Sequence, residues 1–479
     1  MLPLASSLRL APLGAMLLCL LPLQSAQAET LQDALVSAYE TNPVLAGERA
    51  QLRATTEQVS IAKAQGRPSV GVTADVRQRY LGLTNYDRDG RALSVTGSFT
   101  LPIFEGGRVR NAVAAARQRT EVGVQDLRRV ESQLMLDTVT AYMDVLRDQS
   151  EVELNKNQVT VLERQLQASR DRFEVGDVTR TDVAQSEARL EQARSDLIRA
   201  QANLVASRQS YERIVGHAPG NLAPPPPLPP LPGTAEQAVD LALADNPAML
   251  GARAFERAAK SEVAAAKSEG MPSVSAQATG NYQDSLGTSY APVGTDAFRD
   301  NDGYSTLGLS VRVPLYQSGG VSARIRQAQA NRSGALEQIA QTERATTEAA
   351  RNAWEQWQAA QATIRSAQTA VSANELAAEG TRQENIVGTR NILDVLNAEQ
   401  ELLNTRVLLV RARRNEYVAG FAILALTGRG EARDLDLPVN FYDPDVYARK
   451  ATNKWIGTDV DVPLRPAPRA PAPVPAEKP

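Results

Sequence analysis

The 479-residue chain has one cysteine, one histidine and few aromatic residues. Each shortage removes a class of protein. Cys19 is the sole cysteine, so no disulfide within the chain can hold the fold. His217 is the sole histidine and reads as an exposed loop residue before a proline-rich stretch. Without further Cys or His there is no ligand set for zinc and no Ser-His-Asp arrangement. No enzyme activity, metal or cofactor is therefore expected. The formal net charge is −3, and no basic stripe interleaves with aromatics, which argues against nucleic acid as a partner. Past the N-terminal segment no run reaches 18 apolar residues, so no transmembrane helix is expected. Any membrane-inserted part must be built from β-strands closed into a barrel. Aromatics are 5% of residues while alanine is abundant, a composition suited to long, closely packed helices.

Residues 1–28 read as a secretory signal peptide. Arg9 supplies the positive charge, Leu10 to Leu23 the apolar stretch, and Ala26-Gln27-Ala28 the small-residue cleavage site before Glu29. Cys19 lies inside this segment behind Met16-Leu17-Leu18, without the small residue that precedes a lipidated cysteine. The exported chain is expected to be unlipidated and free of cysteine.

The rest of the chain is written twice. Asn42-Pro43 and Pro68-Ser69-Val70 recur 204 residues later as Asn246-Pro247 and Pro272-Ser273-Val274. Val175-Gly176 and Asp182-Val183 recur 212 residues later as Val387-Gly388 and Asp394-Val395. A period this long marks a duplicated domain-sized unit, not a solenoid. The expected layout is a first repeat over 29–218, a proline-rich linker over 219–233 and a second repeat over 234–430. A C-terminal segment over 431–457 carries Phe441, Tyr442, Tyr447 and Trp455, and a Pro/Ala-rich tail over 458–479 is expected to be disordered.

Within each repeat the hydrophobic period changes. Leu31, Ala34, Leu35, Ala38 and Tyr39 follow helical spacing, and a helix is expected from Thr30 to Gln65, with Ala235 to Glu269 as its counterpart. A period of two then takes over. Val70, Val72, Ala74 and Val76 alternate with polar residues, as do Leu93, Val95, Phe99, Leu101 and Ile103. In the second copy Val274, Ala276, Ala278 and Tyr282 alternate, then Leu307, Leu309, Val311, Val313 and Leu315. These runs have the length of tilted transmembrane strands, roughly ten residues. Nine of the 22 aromatics fall in these two segments (Tyr80, Tyr86, Phe99, Phe104, Tyr282, Tyr290, Phe298, Tyr304 and Tyr316), as in an interfacial girdle. Two hairpins give four strands, too few to close a barrel with a lumen. Three chains sharing one twelve-stranded barrel is the natural solution.

Long helices without proline follow, Arg108 to Phe173 and Val321 to Ile386. Each spans roughly 100 Å at helical rise. Val175-Gly176 and Val387-Gly388 end them, and return helices of half that length run over Thr181–Val215 and Ile392–Leu426. A long helix thus matches a return helix and an entry helix stacked end to end. Trp354 and Trp357, one turn apart, read as packing residues at mid-height.

The segments Phe173-Glu174-Val175-Gly176-Asp177-Val178-Thr179-Arg180-Thr181-Asp182-Val183 and Val387-Gly388-Thr389-Arg390-Asn391-Ile392-Leu393-Asp394-Val395-Leu396-Asn397-Ala398 carry a resemblance to a known family. Leu101-Pro102-Ile103-Phe104-Glu105-Gly106-Gly107 and Val313-Pro314-Leu315-Tyr316-Gln317-Ser318-Gly319-Gly320 support it. Over residues 30–430 the chain resembles the TolC-type outer-membrane efflux proteins, in their unlipidated branch. The resemblance implies a mixed α and β membrane protein. It would be a homotrimer whose 12-stranded barrel sits in outer-membrane lipid and continues as a helical barrel through the periplasm. It implies an exit duct for a tripartite efflux or type I secretion system, working with a periplasmic adaptor (a membrane fusion protein) and an inner-membrane RND or ABC transporter.

The resemblance also assigns the tip. Asp394 matches an acidic residue lining the periplasmic entrance, where three copies would make a carboxylate ring. Arg390 matches an arginine that holds the entrance shut against a neighbouring coiled coil, with Thr181 and Asp182 as partners. Val175, Gly176, Val387, Gly388 and Thr389 would meet the adaptor. Two positions depart from the family pattern: Asn397 stands where a second aspartate is common, and Asn385 stands for a tyrosine. Weaker entrance selectivity and a looser latch are the expected consequences. From local chemistry alone, Thr179-x-x-Asp182 and Asn391-x-x-Asp394 also read as helix-capping boxes. The competing readings are a periplasmic adaptor, which also has a long helical hairpin, and another coiled-coil structural protein of the envelope.

Overall fold

The computed structural model describes residues 28–78, 91–284, 286 and 301–459. The signal-peptide reading of 1–28, Tyr80, Tyr86, Tyr290, Phe298 and the end of the tail lie outside these residues, apart from Ala28 itself.

Each repeat opens with two short helices where one was expected: α1 (Leu31–Thr41) and α2 (Pro43–Ala64), then α5 (Ala235–Asp245) and α6 (Pro247–Ser268). The breaks fall at Asn42-Pro43 and Asn246-Pro247. Proline lacks an N–H and pushes the preceding residue out of the helical region, and Asn42 and Asn246 both take ψ 125°. Each asparagine then does two things. Its Oδ1 accepts from the N–H two residues on, capping the new helix (Val44 N at 2.9 Å, Ala248 N at 2.8 Å). Its Nδ2 donates to a carbonyl at the end of a return helix, Ile214 at 3.0 Å or Leu426 at 2.9 Å. The break is therefore the joint that stacks the entry helix on the return helix.

The strands are β1 (Ser69–Gln78), β2 (Arg91–Phe104), β3 (Ser273–Asp284) and β4 (Asn301–Arg312). They form one antiparallel sheet in the order β1-β2-β3-β4, so the two hairpins lie edge to edge. Register settles which side chains share a face. Val70 opposes Phe99, Ala74 opposes Val95, and Val76 opposes Leu93. Phe99 opposes Ala278, which opposes Leu307, and Ala276 opposes both Leu101 and Leu309. One largely apolar face thus crosses all four strands, interrupted on the Val72 row by Gly97, Gly280 and Ser305, with Val72 73% and Leu307 86% exposed in the single chain. The other face carries Thr73, Thr96, Asn281 and Thr306, with Thr96 bonded to Asn281 at 2.8 Å. Two expectations change. A bulge between Pro102 and Phe104 puts Phe104, not Ile103, opposite Val274. The fourth strand ends at Arg312, before Val313 and Leu315, because Pro314 cannot donate to a ladder.

The long helices α3 (Arg108–Glu174) and α7 (Gly320–Ile386) leave the sheet, and α4 (Arg180–Val215) and α8 (Ile392–Leu426) return. Toward the sheet the wall runs α2–α3–α6–α7, and toward the tip α3 packs on α4 and α8 while α7 packs on α8. The main core sits at mid-height. Tyr39, Leu45, Met135, Val139, Tyr142, Tyr211 and Leu424 meet there. The linker is not free of this body: Leu222 is buried in the core and pairs with Glu29 in an isolated bridge. Trp354 is buried with Ala238 and Ile423, its ring 5.1 Å from that of Trp357. His217 is exposed, its ring edge-on to Tyr211. A short helix α9 (Pro444–Asn453), the last helix among the described residues, packs on α2.

Candidate functional site at the coiled-coil tip

The two hairpin turns are built alike. Gly176 (φ +82°) and Gly388 (φ +81°) occupy the left-handed region that lets a helix end in a single residue. Asp177 N–H donates to Arg172 O, and Thr389 N–H donates to Glu384 O, both at 2.9 Å, closing the last turn of α3 and of α7. Val175 and Val387 are left 81% and 74% exposed, Val387 directly after the exposed Ile386.

The charges on the two turns differ. On the first, Arg172 Nε donates to Asp177 at 2.6 Å. On the second, Arg390 Nε donates to Glu384 at 2.8 Å, and its Nη1 lies 3.6 Å from Asp394. The hydrogen bond to Glu384, then the charges of Glu384 and Asp394, raise the Arg390 pKa above its ordinary value. Asp394 sits in the first turn of α8, half-exposed, and does not complete a capping box: Asn391 caps alone, accepting from Leu393 N at 2.6 Å. The arginine one turn before it has drawn the carboxylate away from the cap. Asp182 behaves differently. Its carboxylate accepts from Thr179 N and Thr179 Oγ1, both at 2.8 Å, so the box at the start of α4 is complete.

The hairpins are tied to each other. Arg172 Nη1 reaches across from α3 to the side-chain oxygen of Asn385 at 3.3 Å. Asn385 is buried, and its Nδ2 donates to Arg390 O at 2.8 Å. One arginine thus holds its own turn and, through an amide, the turn that carries Arg390. Higher up, Arg189 on α4 donates to Asn397 on α8 at 2.9 Å. Ile392, Val395 and Leu396 bury themselves among Leu162, Leu166 and Leu190. A groove of about 530 Å³ remains between the hairpins, walled by Arg164, Arg172, Arg382, Asn385 and Ile392.

Several of the residues singled out in the sequence do meet here. Arg390 and Asp394 are brought together, and Asn397 lies one turn beyond Asp394 on α8. Within one chain Arg390 pairs with Glu384 and Asp394, and its described ion pairs do not include Asp182. Thr181 is exposed at the start of α4. Three participants were missed: Glu384, Arg172 and Arg189. The signal for Glu384 was present, because a left-handed turn folds the residue after it back over the last helical turn. Arg172 pairs locally with Asp177, but its bond to Asn385, like that of Arg189 to Asn397, spans more than 200 positions, and no local pattern marks those two bonds.

The family model described as outer membrane efflux protein matches residues 34–217 and 238–429, one segment in each repeat. The outer membrane efflux protein BepC of Brucella suis is 32% identical over 91% of this chain and 93% of its own length. The outer membrane protein TolC of Escherichia coli is 28% identical over 85% of this chain and 84% of its own. Among solved structures, the CmeC outer membrane channel of Campylobacter jejuni superposes with a TM-score of 0.74 at 14% identity, covering 88% of this chain and 89% of that one. That likeness concerns the fold.

Proposed function

The chain belongs to the outer membrane efflux protein family, and from that premise we propose that three copies assemble into one tunnel, gated at the coiled-coil tip. It is an outer-membrane channel that extends into the periplasm, and the adaptor and structural readings are set aside by a match that covers both repeats. The observation that carries the assembly is the sheet. Its largely apolar face extends over four strands, while β1 and β4 are open edges. Four strands with two open edges cannot stand in lipid, because every ladder group must be paired there. Three such sheets in a ring pair all edges, put the apolar face outward and the Thr/Asn face inward.

At the other end, three Asp394 carboxylates ring the entrance and favour cations. Asn397 adds a neutral amide one turn away, so a single acidic ring operates. Arg390, with Thr181 and Asp182 of an adjacent coiled coil, forms the latch, and the exposed Val175, Val387 and Thr389 receive a periplasmic adaptor. An inner-membrane transporter feeds the tunnel. Of the relatives, one is named for efflux and another, from Pseudomonas aeruginosa and 28% identical, for alkaline protease secretion. The duct serves either cargo class, and no covalent chemistry is assigned to it.

The test is a pair of substitutions in the sheet. Val95→Arg places a charge on the apolar face at a cost of ~2–4 kcal/mol in lipid. Thr73→Arg places it on the polar face, where no described side-chain bond is lost. Assembled trimer, read by native mass measurement of the outer-membrane fraction, should fall for the first and persist for the second. Equal assembly of the two would remove the barrel reading.

A further inference from the structure

The C-terminal segment does more than fold back on the body: it climbs α2 toward the sheet. Tyr442 N–H donates to Tyr39 Oη at 3.1 Å near mid-height, where the Arg49 guanidinium lies 5.6 Å from the Tyr442 ring. Tyr447 Oη then donates to Glu57 at 2.8 Å. Ser60 Oγ donates to Ala451 O at 3.0 Å, Lys63 Nζ to Thr452 O at 3.2 Å, and Arg67 Nη1 to Lys454 O at 3.3 Å. Successive contacts rise in number on both segments, so α9 lies parallel to α2. The carbonyls at the end of α9 meet two cations, as the negative end of a helix favours.

The strap ends at the level of the sheet. Arg67 stacks on the Trp455 ring at 4.6 Å, and Arg67 lies two residues before β1. Gln65 accepts from Arg108, the first residue of α3, at 2.8 Å, which places this level beside the end of β2. There Trp455 is 68% and Ile456 92% exposed, next to Arg67 and Lys454. Exposed apolar residues continue round the same level at Phe104, Met271, Leu315 and Tyr316. The other two tryptophans pack together at mid-height. Neither packing nor burial explains a stacked tryptophan followed by a bare isoleucine at this height.

We propose that residues Trp455-Ile456 are an interfacial anchor, inserted into the headgroup region of the leaflet that faces the periplasm, with Arg67 meeting lipid phosphates while Lys454 is held by Asp459 at 3.1 Å. The occupant is a phospholipid surface, argued from continuity with the apolar sheet face that begins at Val70, and the proposal rests on the reading of that sheet as lipid-embedded. Tryptophan at the headgroup level, with a flanking cation, is the pairing that membrane interfaces select. The anchor would fix the height and tilt of the edge helix α2 against the membrane.

The experiment uses the full assembled protein, whose only native cysteine precedes the expected cleavage site. Ile456→Cys is labelled with a fluorophore and the protein placed in phospholipid vesicles carrying nitroxide lipids. Headgroup-depth nitroxide should quench the probe about two-fold, and deep-chain nitroxide less. A Val72→Cys probe in parallel reports on the sheet itself. Quenching at 72 but not at 456 overturns the anchor and leaves the barrel reading intact. A probe at 456 shielded from both lipid and aqueous quenchers overturns it too, since a neighbouring copy would then cover the strap. Trp455→Phe, which keeps the stack on Arg67, is the second measurement: the tryptophan emission it removes should be the lipid-quenched part, and removal of emission indifferent to lipid quenchers refutes the proposal.

Discussion

Helices α3 and α7 are each 67 residues long, start after a left-handed glycine and end at a Val-Gly turn. Twenty residues of α3 are buried, and nine of α7. The buried positions of α3 include Leu127, Met135, Val139, Tyr142 and Leu162, whereas those of α7 are mostly alanine with Trp354. Duplication gave both helices the same length and landmarks. Position in the wall separates them. α3 is flanked on both sides, by α2 and α6 toward the sheet and by α4 and α8 toward the tip, while α7 is an edge. A helix that exposes so much of its small-residue surface in one chain is completed by another chain, which is the helical counterpart of the open strand edges on β1 and β4.

The comparison can be broken most sharply at one position in each repeat. Val139 and Arg351 are 212 residues apart, the offset of the helical landmarks. Val139 is fully buried, and Arg351 is exposed. Val139→Arg buries an unpaired charge in the main core and should cost about 3–5 kcal/mol. Arg351→Val should stay within about 0.5 kcal/mol. Chemical denaturation of the assembled protein checks both, and equal losses would mean that α7 is as internal as α3.

The second test compares ion pairs on the two faces of α8. Arg411 donates to Glu151 of α3 through two nitrogens, at 2.7 and 3.0 Å, and Glu151 is buried. Arg414 and Arg147 share Asp144 beside it, at 2.8 and 2.7 Å. On the other side Arg406 pairs with Glu375 of α7 at 2.7 Å, both half-exposed. Arg411→Ala leaves a buried carboxylate with its partner gone and should cost about 2–3 kcal/mol. Arg406→Ala should cost only ~0–1 kcal/mol. If thermal melts place the two losses together, the seam between the repeats is no stronger than the surface.

A smaller effect, read through pH, lies where the C-terminal segment meets α3. Glu431 bonds Arg128 at 2.8 Å, and Glu131 accepts from Ala432 N at 3.0 Å. Burial pushes Glu431 up to about 7, and burial also raises Glu131. A carboxyl with a raised folded pKa binds its proton more tightly in the folded state. Docking is therefore firmest below the unfolded value near 4.5 and weakens as pH rises toward 7. Proteolysis of the segment after Thr427 should become faster across that window. Glu431→Gln should flatten much of the dependence, and an unchanged profile would place its cause elsewhere.

These contrasts separate what a linear pattern reveals from what it hides. The strands, long helices and glycine turns were legible because period and punctuation are local. The break at Asn42-Pro43 was equally local, yet the helical spacing of Leu31 to Tyr39 masked it; proline at a first helical position starts a new helix rather than continuing the old one. The shift that puts Phe104 on the apolar face depends on a bulge, and bulges are set by pairing across the sheet. Arg390 and Asp394 were legible as a tip pair through resemblance. Arg172, Asn385 and Arg189 act between hairpins, and only the packing of Ile392, Val395 and Leu396 against α3 and α4 brings them together. The different burial of α3 and α7 was not read from their shared landmarks, although the large apolar residues of α3, such as Val139 where α7 has Arg351, mark it in the sequence.

The smallest effect on stability is expected where the comparison reaches the tip, and there it bears on function. The turn after α3 is held by Arg172 to Asp177 and, across the hairpins, to Asn385. The turn after α7 relies on Arg390, exposed and shared between Glu384 and Asp394. Exposed pairs of this kind contribute ~0–1 kcal/mol each. Removing one should leave the trimer folded, but three copies act on one opening, so the closed-to-open balance can move by up to about 3 kcal/mol. Arg390→Ser should therefore raise conductance in planar bilayers, and Asn385→Ala, which frees the same turn from Arg172, should do so as well. Asp394→Ala should instead lower cation selectivity and, because Asn397 offers no second carboxylate, remove most of the block by multivalent cations. Correctly assembled trimers in which all three substitutions leave conductance, selectivity and block unchanged would show that the edge helix does not carry the gate.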